Sequence, residues 1–226
     1  MSNHGRSGLP PIGVLGGSFD PIHAGHLQLA RDAMTRLNLE RVLFVPAGLA
    51  WQKGPATFAA HRVRMVELAI ANEPHFALDR RELERPGPSY TVDTLEQLRD
   101  EFGPSRPLVL LIGADQLQRL DTWHRWQDLV GLAHVAVAQR PGHGRDPDGA
   151  VAQWVRQHAG RAADVAQRPA GTVVQFAMTP VDCSSTAIRA ALQAALRTGA
   201  PAPADQTQLG LAPAVLDYVR RNRLYS

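Results

Sequence analysis

Residues 107–113 read Pro-Leu-Val-Leu-Leu-Ile-Gly, apolar at every interior position and closed at one end by proline and at the other by glycine. A strand can be apolar on both sides only if both faces of its sheet are covered, and such sheets are mainly parallel. Parallel strands need long crossovers, which are normally helices. The rest of the chain has that alternation. Short apolar runs at 12–16, 41–46, 75–79, 134–139 and 172–178 read as strands. Apolar residues at helical spacing mark helices over 26–37, 58–71, 91–102, 148–158, 184–197 and 213–222. Thr91 is a plausible N-cap, Gly103-Pro104 and Gly199 are stop signals, and Pro213 opens the last helix. The expected class is α/β: a doubly wound, mainly parallel sheet with helices on both faces.

The chain has 226 residues, 44% hydrophobic and 20% charged, enough to close one core without disulfides or a structural metal. Residues 1–10 read as a flexible leader and 11–226 as a single domain. Its helical end, 184–226, packs against the sheet. The stretches 141–149 and 199–212 read as surface loops. No apolar run approaches the ~18 residues of a membrane span, and the first residues carry no apolar signal core. The one cysteine, Cys183, allows no internal disulfide, which suits a cytoplasmic protein. A net charge of +3 from scattered residues argues against a nucleic-acid partner, while leaving local cations for a phosphorylated substrate, and no membrane partner is expected.

The first strand ends in Gly16-Gly17-Ser18-Phe19-Asp20-Pro21-Ile22-His23-Ala24-Gly25-His26, and a helix follows. Ligands of open α/β sheets bind beyond the carboxyl ends of strands. Glycines there let backbone N–H groups approach a phosphate, and the helix start adds positive potential. The loop is neither a Walker A element nor a GxGxxG fingerprint. Its mark is His23-x-Gly25-His26: two imidazoles able to donate to phosphate oxygens, with Gly25 leaving space for a nucleotide. The glutamate of HExxH is missing and no third ligand is evident, so no metal ligand is assigned.

GGSFDPIHAGH resembles the signature of the (H/T)xGH nucleotidyltransferase superfamily. Within it, four further segments resemble the bacterial nicotinate-nucleotide adenylyltransferase family: Ser89-Tyr90-Thr91-Val92-Asp93-Thr94-Leu95, Ile112-Gly113-Ala114-Asp115 with Trp123 and Trp126, Arg140-Pro141-Gly142, and Cys183-Ser184-Ser185-Thr186-Ala187-Ile188-Arg189. The tail to Tyr225 also fits, so the likeness runs from about Ile12 to Tyr225. There are departures. Gln52 stands where the family often has histidine, ahead of Lys53, and Cys183 replaces an apolar residue.

The resemblance implies a Rossmann-like fold and adenylyl transfer from ATP to nicotinate mononucleotide (NaMN), a step of NAD biosynthesis, with Mg²⁺ accompanying ATP. The attacking phosphate is already an anion, so no base or covalent nucleophile is needed, and catalysis is positioning and charge neutralisation. By the same resemblance the catalytic residues are His23, His26, Lys53 and Arg189. ATP is expected at Gly16, Gly17, Ser18, Phe19, His23, Gly25, His26, Ser184, Ser185, Thr186 and Arg189. NaMN is expected at Lys53, Tyr90, Thr91, Asp115, Trp123 and Arg140. Plainer roles stand beside these: helix capping for one of the 184–186 hydroxyls, turn formation for Asp20, packing for Trp126 and Cys183, and structural or solvent-facing positions for the remaining histidines. Other readings are an adenylyltransferase with a phosphopantetheine or nicotinamide mononucleotide (NMN) acceptor, a non-catalytic nucleotide sensor, and an RNA binder related to class I synthetases. The last lacks a KMSKS-like segment.

Overall fold

The computed structural model describes residues 8–48, 57–139, 147–198 and 209–225. Six strands form one sheet: β1 (Ile12–Gly17), β2 (Arg41–Pro46), β3 (Phe76–Leu78), β4 (Leu108–Gly113), β5 (His134–Gln139) and β6 (Val173–Ala177), in the order β3-β2-β1-β4-β5-β6. The pairs β1–β4, β4–β5 and β5–β6 are parallel, with Ile12 opposite Leu108, Leu110 opposite Val135, and Val137 opposite Gln175. From β1 the chain steps outward to β2 and β3, returns to β4 on the other side of β1, and steps outward again. Right-handed crossovers taken in opposite directions put helices on opposite faces, which is the doubly wound arrangement expected. The order reverses at β1, so the loop leaving β1 starts where such sheets bind ligands.

The described helices are α1 (Ala24–Leu37), α2 (Ala59–Ile70), α3 (Arg81–Glu84), α4 (Thr91–Phe102), α5 (Ala114–Leu117), α6 (Leu129–Leu132), α7 (Gly149–His158), α8 (Ser185–Thr198) and α9 (Pro213–Arg221), with short 3₁₀ turns at Leu120–Thr122, Trp126–Asp128 and Ala162–Ala166. Each long helix lies within two residues of its expected bounds. The one-turn elements α3, α5 and α6 were not expected, because four residues are too few for an apolar period to show. The cap of α4 differs from expectation. Tyr90 occupies the N-cap position without a side-chain bond, and Thr91 is the first helical residue.

The described chain groups into two compact units. One comprises residues up to 15 together with 32–42 and 90–178. Its buried residues include Leu108, Val109, Leu111, Val135 and Val137 of the sheet and Val92, Leu95 and Leu98 of α4. Buried His134 bonds the Arg168 carbonyl through Nε2 at 2.8 Å. The other unit comprises 16–31, 43–89 and 179–226. Its core gathers Phe19, Phe44, Met65 and Val66 with Val215, Leu216 and Val219 of α9.

Candidate active site

His23 precedes the first residue of α1 and His26 is the third residue inside it. The His23 Nδ1 accepts the Gly25 backbone N–H at 3.2 Å. The His26 Nδ1 accepts the His23 backbone N–H, also at 3.2 Å. This is the reciprocal pattern of a capping box, with two imidazoles in place of hydroxyl and carboxylate. Each accepting Nδ1 needs its lone pair, so the neutral ring carries its proton on Nε2. The spacing of the motif therefore fixes both tautomers: two Nε2–H donors, on rings whose centroids lie 3.9 Å apart. Backbone N–H groups contribute less than expected at this helix start. Ala24 donates to the Gly210 carbonyl, Gly25 to the His23 ring, and His26 to the His23 carbonyl.

Gly25 has a role inside the protein as well. A Cβ there would lie 3.1 Å from Cε1 and Nδ1 of His23 and 3.4 Å from the Cys183 sulfur. The space it keeps is bordered by the His23 ring and the Cys183 sulfur. At Gly16, by contrast, a Cβ would meet nothing within 4 Å, so the strand end is open. A Cβ on Gly17 would press on the Phe19 ring at 3.1 Å. Phe19 is fully buried at φ +48°, a conformation unfavourable for a bulky residue, and its ring meets His26 edge-on at 5.1 Å. Cys183 is half-buried, with Sγ 3.3 Å from the His23 Nδ1. Beyond the packing expected of it, its sulfur lies within hydrogen-bond reach of a catalytic candidate.

Asp20 is the buried carboxylate of the loop. The Tyr225 hydroxyl donates to Oδ1 at 2.7 Å and the Thr57 backbone N–H to Oδ2 at 3.1 Å. Burial pushes this carboxyl up, but the Thr57 and Tyr225 hydrogen bonds and the Arg189 charge outweigh it and hold it below the ordinary aspartate value. The carboxylate is thus an anion with both oxygens engaged, which fits a loop anchor. Arg62, on α2, is 3% exposed. Its guanidinium donates to the carbonyls of Thr57 (3.0 Å), Ser18 (2.8 Å), Ala47 (2.7 Å) and Gly48 (3.3 Å). Burial draws its pKa down, opposed by the negative charge of Asp20.

The 184–186 segment divides its labour. The Ser184 hydroxyl caps α8 by accepting the Ala187 N–H at 3.2 Å. Ser185 donates to the Pro21 carbonyl at 3.1 Å, tying α8 to the histidine loop. Thr186 is exposed. Arg189 donates through Nη1 to the Asp20 carbonyl at 2.6 Å, with Nη2 3.5 Å from the Thr186 hydroxyl. The expected ATP residues at 16–26 and 184–189 therefore lie together in one unit.

The expected acceptor residues that are described lie in the other unit. Tyr90 is half-buried, and its ring meets that of His124 at a tilt of 37°, centroids 4.5 Å apart. Thr91 is the first residue of α4. Asp115 is exposed in the first turn of α5, and a Cβ on Gly113 would lie 2.6 Å from its Oδ1. Trp123 and Trp126 are both half-buried, and Trp126 packs edge-on against buried Trp154 at 5.6 Å. Lys53, Gln52 and Arg140 lie outside the described residues.

Three contributors escaped the sequence reading. Arg62 had one trace there, a guanidinium on the apolar stripe of a helix, three and four residues before Met65 and Val66. The link from Tyr225 to Asp20 joins positions 205 apart and has no local signature. His124, read as structural or solvent-facing, is the ring that meets Tyr90. Among the described residues no group of three or more His, Cys, Asp or Glu side chains is placed to hold a metal ion.

The Cytidylyltransferase-like family model matches residues 14–191. The strand order and the doubly capped histidine loop define a nucleotidyltransferase of that class. A relative from Laribacter hongkongensis, named probable nicotinate-nucleotide adenylyltransferase, is 48% identical over 219 residues, covering 95% of this chain and 94% of its own. A protein of the same name from Dechloromonas aromatica is 42% identical over 220 residues, covering 95% and 97%. The chain belongs to the nicotinate-nucleotide adenylyltransferase family. Among solved structures, the Plasmodium falciparum nicotinic acid mononucleotide adenylyltransferase complexed with NaAD superposes with a TM-score of 0.70, covering 96% of this chain and 98% of that one. At 20% identity that likeness supports the shared fold.

Proposed function

We propose that this chain transfers the adenylyl group of ATP to nicotinate mononucleotide, forming nicotinate adenine dinucleotide and pyrophosphate in NAD biosynthesis. The observation that carries this reading is the pair of adjacent imidazoles held as Nε2–H donors at the start of the helix that follows β1. Adenylyl transfer asks for that equipment. An oxygen of the NaMN phosphate forms a bond to the α-phosphorus of ATP, and the bond from that phosphorus to the departing pyrophosphate oxygen breaks. The nucleophile carries its charge already. Catalysis then rests on donors aimed at the phosphate oxygens as negative charge redistributes. His26 stabilises the α-phosphate in the transition state, and His23 steadies the triphosphate. Arg189 and Lys53 supply cations to the phosphates, Arg189 from a guanidinium already oriented by Asp20.

Mg²⁺ would come bound to ATP rather than to this chain, and would supply positive charge that offsets the triphosphate. The donor set here suits that arrangement, because both Asp20 oxygens are engaged by Tyr225 and Thr57. On the acceptor side, Tyr90 and Thr91 present the first turn of α4 to the nicotinate carboxylate, Trp123 stacks on the ring, and Asp115 and Arg140 serve the ribose and phosphate. Two observations support this assignment: Trp126, half-buried like Trp123, is engaged edge-on by Trp154, and the Tyr90 ring meets the His124 ring. The same reading places the chain in the cytoplasm with ATP and NaMN as its partners; no described helix is long and apolar enough to cross a membrane.

The test is pyrophosphate release with Mg²⁺-ATP and, separately, NaMN, NMN or phosphopantetheine. Fast release with NaMN alone is expected. Comparable rates with NMN remove the selectivity for the carboxylate. Release with phosphopantetheine alone overturns the acceptor, and no release with any acceptor overturns the reaction.

A further inference from the structure

Asp20 is a junction that the adenylyl transfer above does not use directly. Three stretches of chain converge on this one loop residue: Tyr225 on Oδ1, the Thr57 N–H on Oδ2, and Arg189 on the backbone carbonyl. All three lie within one compact unit, and Asp20 itself is 7% exposed.

Resting on that proposed reaction, we propose that Tyr225 and Asp20 are positioning residues for the phosphate site. The phenol holds the Asp20 side chain, and the peptide plane so fixed aims the Arg189 guanidinium and sets the loop leading to His23.

The geometry gives the reason. A guanidinium on a helix swings through several rotamers unless one of its N–H groups is tied, and here the Asp20 carbonyl ties Nη1 at 2.6 Å. That carbonyl is directed only if its own residue is held. The carboxylate receives a bond on each oxygen, which fixes the Asp20 side chain and the plane behind it. Tyr225 reaches it from a backbone at φ +66°, a left-handed conformation unfavourable by about 1–2 kcal/mol for a side chain of this kind. The bond to a buried anion offsets that strain. Burial, and then the bond to Asp20, push the phenol pKa up, so the hydroxyl stays a donor across the working pH range. Ser185, donating to the Pro21 carbonyl one residue along, fixes the same loop from α8.

Y225F keeps the ring and removes the donor. It is expected to raise KM for ATP about tenfold, the scale of one hydrogen bond to a charged group, while KM for NaMN stays within about twofold. D20N, which leaves one amide oxygen as acceptor, is expected to do the same. The double variant is expected to be no worse than the weaker single one, because both break one coupling. Calorimetric affinity for ATP, measured on all three variants and the unaltered chain, reads the effect independently of turnover. If the unaltered chain releases no pyrophosphate, the proposed reaction fails, and the calorimetric series still decides the positioning role. ATP affinity of Y225F and D20N within about twofold of the unaltered chain, or additive losses in the double variant, overturns the proposal even if melting temperatures fall. Should Y225F fold poorly, D20N carries the comparison.

Discussion

The His26 imidazole accepts the backbone N–H of His23, three residues earlier, at 3.2 Å. One contact thus caps a helix and sets a tautomer, which makes the structural and chemical roles of His26 separable. His26→Ala removes both, and turnover is expected to fall about 10²–10³-fold with a stability loss of about 1 kcal/mol. His26→Gln keeps an acceptor at the capping position, so it should recover most of the stability and little of the turnover. Pyrophosphate release and urea unfolding of the two variants check this. Turnover of H26Q equal to that of the unaltered chain would remove the imidazole from the chemistry.

Gly25→Ala tests whether the His23 ring must sit where it does. The added methyl would lie 3.1 Å from the imidazole, which must give way. The ring is held by the Gly25 N–H itself, so a displaced ring loses its tautomer lock. A fall in kcat of about tenfold is expected, with unfolding shifted by no more than about 1 kcal/mol. A normal kcat for this G25A variant would show that the ring tolerates another position.

Arg62→Met should be chiefly a stability variant. The thioether fills part of the volume but leaves the carbonyls of Ser18, Ala47, Gly48 and Thr57 without their shared donor. A loss of about 2–4 kcal/mol in urea unfolding is expected, the range for orphaned buried groups. A loss below about 0.5 kcal/mol would mean that water replaces the guanidinium at little cost.

His134 predicts a pH dependence. Burial lowers its pKa, and the neutral ring donates from Nε2 to the Arg168 carbonyl. Above about pH 6.5 the ring is neutral in both the folded and unfolded chains and contributes no slope. As pH falls below that value the unfolded chain takes up a proton that the folded chain refuses. Stability therefore drops, by at most about 1.4 kcal/mol per pH unit, until the lowered folded-state pKa is reached. His134→Asn should flatten the difference between urea midpoints at pH 7 and pH 5. An unchanged difference would assign the acid sensitivity to other groups.

Much of this molecule was written locally. The run Leu108 to Ile112 is apolar on every residue because both faces of its strand are covered, and it became β4 as read. Arg41 to Pro46 and His134 to Gln139 became strands at their expected bounds. The histidine loop and the 184–189 segment were legible because helix caps and phosphate contacts need particular residue types at fixed short spacings. Thr91 was misplaced as a cap because threonine is only a preference there, and the entry of the chain from Tyr90 decided the boundary.

The sequence by itself determined the alternation of strands and helices, the phosphate-loop chemistry and the family, since each rests on periodicity or on residues within about a dozen positions of one another. Tertiary structure alone decided that Cys183 meets the His23 ring, that Arg189 reaches the Asp20 carbonyl, and that Arg62 and Tyr225 hold the loop from 44 and 205 positions away. Those facts depend on distances and angles between groups brought together by burial. A hydrogen bond is directional over about 3 Å, and no pattern of residue types along the chain encodes that.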